Sequence, residues 1–280
     1  MICVVQERDL AAIGAKVELP AERRAGPAPT NDRLAELAAW WETVAGTGPP
    51  SRVEHLWLPQ APAVGAVNTE VVIRPFEAPK SVPEAIDWAI TVADAAVDRG
   101  SDLLLVSLAS EDGDDVGWQI LAAHLLDLDP TEATGWPSAD RTTDQEWIER
   151  VAAIRDGRRR VRDLRNQPER LLAELDRPAL AAGTAVLLQA AARRTPALLD
   201  GPGAAACALL AHRIGRASRS WWQACDSGHR GLHDRVLTDL RLTPLTRFGL
   251  PTEDGTAARI GLSLLETALS RNNAEGVDDA

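Results

Sequence analysis

Two neighbouring carboxylates, Glu253 and Asp254, lie in a short turn directly before a predicted helix that begins near Thr256. A carboxylate in such a turn can act as a general base, because it accepts a proton from a group that becomes acidic during a reaction. A structural interpretation is also open. Acidic residues near the start of a helix are favoured by the helix dipole, and Asp or Thr caps the first turn.

A second acidic position, Asp200, follows the apolar segment 196–199 and precedes Gly201-Pro202-Gly203. Glycines at this point let a ligand approach the backbone closely. The alternative is a simple turn from a strand into a helix. A third group of four carboxylates lies in 109–115. Such acidic loops are usually solvated, so we expect no metal there.

Strands and helices that alternate along the second half must position these residues. The continuous apolar segment 102–108 is typical of a buried parallel strand, and the alternation predicts an α/β fold: a Rossmann-like parallel sheet flanked by helices. Ligands bind at the carboxyl ends of such strands. We therefore expect loops 109–115, 200–203 and 249–256 to converge. The predicted strands end at Leu108, Leu199, Ala224 and Phe248.

The predicted organisation has four parts: a poorly ordered segment over 1–30, a small helical subdomain over 31–80, an α/β domain over 81–270, and a tail over 271–280. The Leu34–Trp41 helix carries the adjacent residues Trp40 and Trp41, which lie about 100° apart on a helix. One of them is expected to face outward and to contribute to an interface.

Composition excludes several classes of protein. No apolar run in the 280 residues approaches a membrane span, and three scattered cysteines give no disulfide framework, so a cytoplasmic protein without a membrane partner is expected. The net charge of −11 disfavours a nucleic-acid partner. The arginine-rich stretch 155–165 is interpreted as the solvated face of a helix.

Several motifs resemble one known family. Residues 221–258 match, without a gap, the order WWQAGHRS-x-EPGH, LGLxP and LGEGTGAA of the nicotinate-nucleotide:dimethylbenzimidazole phosphoribosyltransferase family, which makes the lower-ligand nucleotide of cobalamin. Residues 193–201 resemble its RRxPxxxDG, and 100–104 its GADLL. Residues 34–50 resemble its LEELAAWxxxxQGxxPP.

Other motifs depart from the family pattern. The glycine-rich GEMGIGNTT is replaced by the acidic stretch 107–115, and Arg150 stands where the family has an active-site Lys. The DHGV, VSxYP and GGAAIN segments are missing. The family's catalytic Glu is matched by Asp254, whose side chain is one methylene shorter.

The resemblance implies transfer of phosphoribose from nicotinate mononucleotide to a benzimidazole-type base, without an organic cofactor or metal. It implies Asp254 as the catalytic base with Glu253 as a substitute, and a homodimer. The implied substrate-binding residues are Arg150, Asp200, Gly201, His233, Gly255 and Thr256. Because several motifs are lost, the alternative is a catalytically inactive paralogue that binds a related nucleotide or pairs with a full-length enzyme.

Overall fold

The fold is built on five parallel strands. The computed structural model describes residues 9–21, 32–46, 48–58, 71–75, 79, 81–108, 116–135, 143–228, 231–250 and 254–278. The strands are β1 (Val53–Leu58), β2 (Val71–Pro75), β3 (Leu103–Leu108), β4 (Ala197–Asp200) and β5 (Trp222–Ala224), in the order β2-β1-β3-β4-β5. All four pairings are parallel, so the predicted α/β parallel sheet is confirmed.

Helices cover both faces of this sheet. They are α1 (Leu10–Gly14), α2 (Arg33–Val44), α3 (Val82–Asp98), α4 (Gly117–Leu126), α5 (Pro130–Thr134), α6 (Asp144–Val161), α7 (Pro168–Leu175), α8 (Pro178–Ala192), α9 (Gly201–Ile214), α10 (Gly231–Asp239) and α11 (Thr256–Asp278), with a 3-10 helix over Arg216–Trp221. Helix α8 contacts Leu108 through Gly183, and α11 contacts Leu198 through Gly261. Because side chains alternate along a strand and Leu198 pairs with Leu105, these helices lie on opposite faces.

A buried carboxylate fixes β1 against its neighbours. Glu54 is fully buried and accepts hydrogen bonds from Arg99, Arg74 and Ser101 at 2.7–3.2 Å. Burial raises the pKa of Glu54, but the hydrogen bonds from Arg99, Ser101 and Arg74 together lower it by more than burial raises it. The pKa of Glu54 therefore lies below its usual value. The ionised carboxylate thereby joins β1, β2 and the region after α3, and it fixes the position of the next residue, His55.

The N-terminal third differs from the predicted organisation. Helix α1 lies within 1–30, and its residues Leu10 and Ile13 are buried. Part of the segment predicted to be poorly ordered therefore forms a packed helix, at Leu10–Gly14. The segment 31–80, predicted as a small subdomain, contributes β1 and β2 to the common sheet.

The predicted strand ending at Phe248 is wrong. Residues 245–248 form no strand, only one bridge between Asp226 and Thr246, and the Phe248 side chain is 66% exposed. The Asp226 carboxylate accepts the backbone N–H groups of Phe248 and Leu250 at 2.7 and 3.0 Å. The Asp226 side chain thus binds backbone N–H groups that, in a strand, would pair with a neighbouring strand of the sheet.

The predicted end of the last helix is also wrong. Helix α11 continues to Asp278 instead of ending before a tail, and Arg271 on it pairs with Asp32 at 2.6 Å, at the start of α2. Trp41 is buried, and Trp40 packs against the core and donates from Nε1 to the Ser220 carbonyl at 3.1 Å. Trp40 is therefore only half-buried, and its role as an interface anchor stays a prediction.

Helix α1 is expected to depend on a close approach between two glycines. A Cβ at Gly215 would lie 2.9 Å from the Gly14 carbonyl oxygen and 3.0 Å from its Cα, and backbone atoms cannot move aside cheaply. We expect Gly215→Ala to lower the free energy of unfolding by about 1–3 kcal/mol, measured by urea unfolding. Gly231→Ala is the control, since no atom of the described residues lies within 4 Å of its Cβ position. Equal stability of both variants would contradict this packing.

Candidate active site

The carboxyl ends of β3 and β4 bring two polar side chains together. Ser107 and Asp200 are directly paired in the sheet register, and both point to the face that α11 covers. Each is buried, with 1% and 0% of its surface exposed. His55, on β1, is also fully buried and lies on the other side of Ser107. Three neighbouring strands therefore each contribute one polar group to this edge.

Hydrogen bonds connect these groups to the start of α11. His55 Nε2 lies 2.8 Å from Ser107 Oγ, and the Ser107 hydroxyl donates to Asp200 Oδ2 at 2.6 Å. The Gly255 N–H donates to the same carboxylate oxygen at 2.9 Å. Because the single hydroxyl proton of Ser107 is directed to Asp200, His55 Nε2 must carry the proton that it shares with Ser107.

This arrangement positions residues and does not activate a nucleophile. A histidine that takes a proton from a serine needs an unprotonated nitrogen facing the hydroxyl, whereas His55 Nε2 donates. Burial, followed by the charge of Arg259, lowers the pKa of His55 to about 3, so the ring is neutral. The chain of hydrogen bonds thus fixes Asp200, and Asp200 fixes the turn at Gly255.

Asp200 is the most perturbed carboxyl group of the site. Burial raises its pKa to about 6. Hydrogen bonds from Ser107 and Gly255 act in the opposite direction, and the charge of Asp254 adds to the increase. The charge of Asp254 therefore reaches the buried Asp200 across the turn. A raised pKa in a buried acid beside an exposed one is characteristic of functional sites.

Asp254 is exposed, two residues before the start of α11 at Thr256. Its Oδ1 accepts the Thr256 N–H at 3.0 Å, so the residue does cap the helix, as the structural interpretation predicts. The cap does not exclude a chemical role, because it orients the carboxylate toward solvent at the positive end of the helix. Glu253 lies outside the described residues.

Two glycines shape the loops of the site. Gly201 has φ +81° and Gly255 has φ +78°, a backbone region that side chains disfavour. Gly201 turns the chain from Asp200 into α9, and Gly255 presents its N–H to Asp200. Gly201 and Thr256 are both half-buried at this edge. The predicted residues Asp200, Gly201, Asp254, Gly255 and Thr256 are thus brought together.

Arg150 and His233 have other neighbours. Arg150 lies on α6, and its Nη1 donates to Gln119 Oε1 on α4 at 3.2 Å. His233 is buried on α10, and its Nδ1 lies 2.8 Å from the position of a Cβ on Gly228. Neither of these contacts reaches Asp200 or Gly255. The arginine-rich part of α6 is solvated as predicted, with Arg155, Arg159 and Arg160 exposed.

His55 and Ser107 are site residues that the sequence analysis missed. Ser107 is the one polar residue of β3, LLLVSL, and His55 follows Glu54 among the apolar residues of β1, VEHLWL. Polar residues within such strands are the signal that the sequence offers. Within the described ranges, no three His, Cys, Asp or Glu side chains are grouped to hold a metal ion. No helix in that part of the chain is long and apolar enough to cross a membrane.

Comparison with known proteins identifies the family. A family model described as a phosphoribosyltransferase matches residues 78–278, and the chain belongs to that family. Curated relatives are named nicotinate-nucleotide–dimethylbenzimidazole phosphoribosyltransferase. The one from Streptomyces avermitilis is 35% identical over 179 residues, which are 64% of this chain and 47% of the relative. The one from Mycobacterium avium is 30% identical over 249 residues, 88% of this chain and 66% of the relative.

The chain spans about half the length of the first relatives that it matches. Its fold is similar to solved structures from Thermus thermophilus. CobT from this organism gives a TM-score of 0.68 at 17% identity, covering 94% of this chain and 95% of that one. A second structure, named as the same phosphoribosyltransferase, gives 0.66 at 18% identity and covers 93% and 94%. At this level of sequence identity, the structural similarity to these two proteins supports the assignment of the fold.

The raised pKa of Asp200 predicts a specific dependence of stability on pH. The Asp200 carboxyl group loses its proton near pH 4 in the unfolded state and near pH 6 in the folded state. The protonated group therefore stabilises the folded state below pH 4, and this contribution to stability is lost as the pH rises through 6. We expect the free energy of unfolding of the wild type, minus that of Asp200→Asn, to fall by up to about 3 kcal/mol between pH 4 and 7. Urea unfolding of both proteins measures it. A constant difference would show that Asp200 titrates normally.

Proposed function

We propose that this chain transfers phosphoribose from nicotinate mononucleotide to a benzimidazole-type base and releases nicotinate. The observation that carries the proposal is the exposed Asp254 carboxylate, held on α11 by the bond between Gly255 and the buried Asp200. Membership of the phosphoribosyltransferase family, together with the names of the relatives, supports the choice of substrates.

In the proposed reaction, one nitrogen of the base attacks C1′ of the ribose while the bond from C1′ to the nicotinate nitrogen breaks. The electron pair of that bond returns to the pyridine ring and neutralises its positive charge. The other nitrogen of the base loses its proton to the Asp254 carboxylate. This transfer is favourable because the attacking ring becomes acidic as it gains positive charge.

The other residues would position these reactants. Gly201, Gly255 and Thr256 would line the substrate site at the carboxyl edge of the sheet, where ligands of parallel sheets bind. Asp200 would act through Gly255 by fixing the start of α11. Arg150 and His233 keep the substrate-binding role that the family motifs imply, and Glu253 that of a substitute base.

We further propose that the protein is cytoplasmic and works as a homodimer. The support for the dimer is the resemblance to a family whose active site draws on both chains, together with the prevalence of symmetric pairs among oligomers. The half-buried Trp40 keeps the α2 helix as the proposed contact surface.

Removing the Asp254 carboxylate is expected to abolish most of the activity. Asp254→Asn should reduce nicotinate release by about 100-fold or more, because a general base contributes about 10²–10⁴. The assay incubates protein with nicotinate mononucleotide and dimethylbenzimidazole and measures free nicotinate.

Glu253→Gln is the matched control, with the same loss of one negative charge on the neighbouring residue, and it should lose much less activity. Equal losses in both variants would show that the base is misassigned. A wild type that binds the nucleotide but releases no nicotinate would instead support the inactive paralogue.

A further inference from the structure

A cavity lined by arginines lies where the end of helix α4 meets helix α6. Its volume is about 330 Å³, and none of the described residues that line it belongs to the candidate active site. Among these residues, five arginines face a single carboxylate, that of Asp127. The arginines are Arg155, Arg158, Arg159, Arg162 and Arg165. Positive charge is thus concentrated at one place in a chain whose net charge is −11.

The helical repeat places most of these arginines on one side of α6. Arg155, Arg158 and Arg162 are three and four positions apart, so their side chains leave the same face of the helix. Arg158 Nη2 donates to Asp127 Oδ1 at 2.9 Å, directly after the end of α4. This contact turns the arginine-bearing face of α6 toward the end of α4, where the cavity lies.

The cavity also contains two buried polar groups that lack a partner. His124, on α4, is only 6% exposed, and its Nε2 has no hydrogen-bond partner among the described residues. The Nε of Arg158 is buried in the same way. Burial, followed by the charges of Arg165 and Arg158, lowers the pKa of His124, so the ring is neutral and can carry its proton on Nε2. Buried polar groups are nearly always paired, so two unpaired groups at one cavity indicate a ligand that accepts hydrogen bonds.

The helix dipole accounts for only part of this arrangement. The C-terminus of a helix favours basic residues, and Arg158, Arg159 and Arg160 occupy the last turn of α6. Arg160 lies on the other flank of the helix, where a different cavity includes Ile120. The dipole does not explain why His124 and Arg158 leave buried nitrogen atoms unpaired at the arginine-lined cavity.

The ion pairs already present hold these arginines weakly. Arg155 pairs with Asp156 at 2.8 Å and Arg162 with Asp163 at 3.3 Å, and all four side chains are exposed. Exposed ion pairs contribute little to stability, because water screens them. A multiply charged anion can therefore replace these carboxylates as the partner of the arginines.

We infer that this cavity binds a diphosphate group, free or as part of a nucleotide, at a site separate from that of the proposed transfer. Guanidinium groups match phosphate oxygens with two parallel hydrogen bonds. The oxygens of a diphosphate would also accept hydrogen bonds from His124 Nε2 and Arg158 Nε. The volume of the cavity suits a small ligand, whereas the net charge of −11 repels an extended polyanion such as nucleic acid.

Calorimetric titration of the full chain with inorganic diphosphate tests the inference. We expect the wild type to bind it, and Arg158→Gln and Arg162→Gln each to bind at least about tenfold more weakly, because a charge-assisted hydrogen bond is lost. Arg162 is exposed, so its substitution tests the site without disturbing the packing of α6. Arg160→Gln is the matched control: it removes the same charge from the same end of the helix but lies outside the cavity, and it should bind as the wild type does.

The ring of His124 gives a second and independent measurement. Saturation with inorganic diphosphate should shift the His124 Cε1–H resonance in a proton NMR spectrum, because the bound anion accepts a hydrogen bond from Nε2. The resonance of His212, which does not line the cavity, should stay unchanged. Titration with adenosine diphosphate identifies the source of the group: tighter binding than inorganic diphosphate assigns a nucleotide, and equal or weaker binding assigns the free anion.

Three results would overturn the inference. They are a wild type that does not bind diphosphate, Arg158→Gln and Arg162→Gln variants that bind it as the wild type does, and an equal loss of affinity in Arg160→Gln. The last result would show a diffuse attraction to the arginine-rich surface in place of a defined site. Because the described lining of the cavity shares no residue with the candidate active site, none of these results bears on the proposed transfer, and a failure of nicotinate release would leave this site unaffected.

Discussion

The buried carboxylate of Asp200 is the constraint on which the site depends. One of its oxygens accepts both the Ser107 hydroxyl, at 2.6 Å, and the Gly255 N–H, at 2.9 Å. A carboxylate removed from water needs such donors to remain ionised. These two bonds tie the end of β3 and the start of α11 to the end of β4, so the turn that carries Asp254 has a defined position relative to the sheet.

The strands beyond β3 support this constraint from the side. Glu54 and its arginine partners hold β1 at one end, and the adjacent His55 closes the polar chain at Ser107. The site is therefore buried on the sheet side, with a neutral histidine and a carboxylate of raised pKa, and exposed at Asp254.

Local patterns predicted the parts of the structure that local interactions determine. The apolar runs of β3 and β4, the Asp200-Gly201 turn and the acidic start of α11 each follow from a few neighbouring residues. The bonds of Ser107 to His55 and Asp200 join positions 52 and 93 residues apart, and nothing in either strand alone indicates its partner.

The same reason explains the errors elsewhere in the fold. The predicted strand before Phe248 had a suitable composition, but the Asp226 carboxylate, 22 residues earlier, takes the backbone donors. Helix α11 extends past its predicted end, where Arg271 meets Asp32 across 239 positions. Such long-range contacts override local propensity.

The titration of the Gly255 amide tests the central role of Asp200 most directly. In a nitrogen-15 NMR titration between about pH 4.5 and 8, we expect the Gly255 N–H resonance to shift with an inflection near pH 6, because its acceptor gains a proton there. The inflection should be absent in Asp200→Asn. A Gly255 resonance that does not move over this range in the wild type, or that moves equally in both proteins, would contradict the link between the buried carboxylate and the turn that carries Asp254.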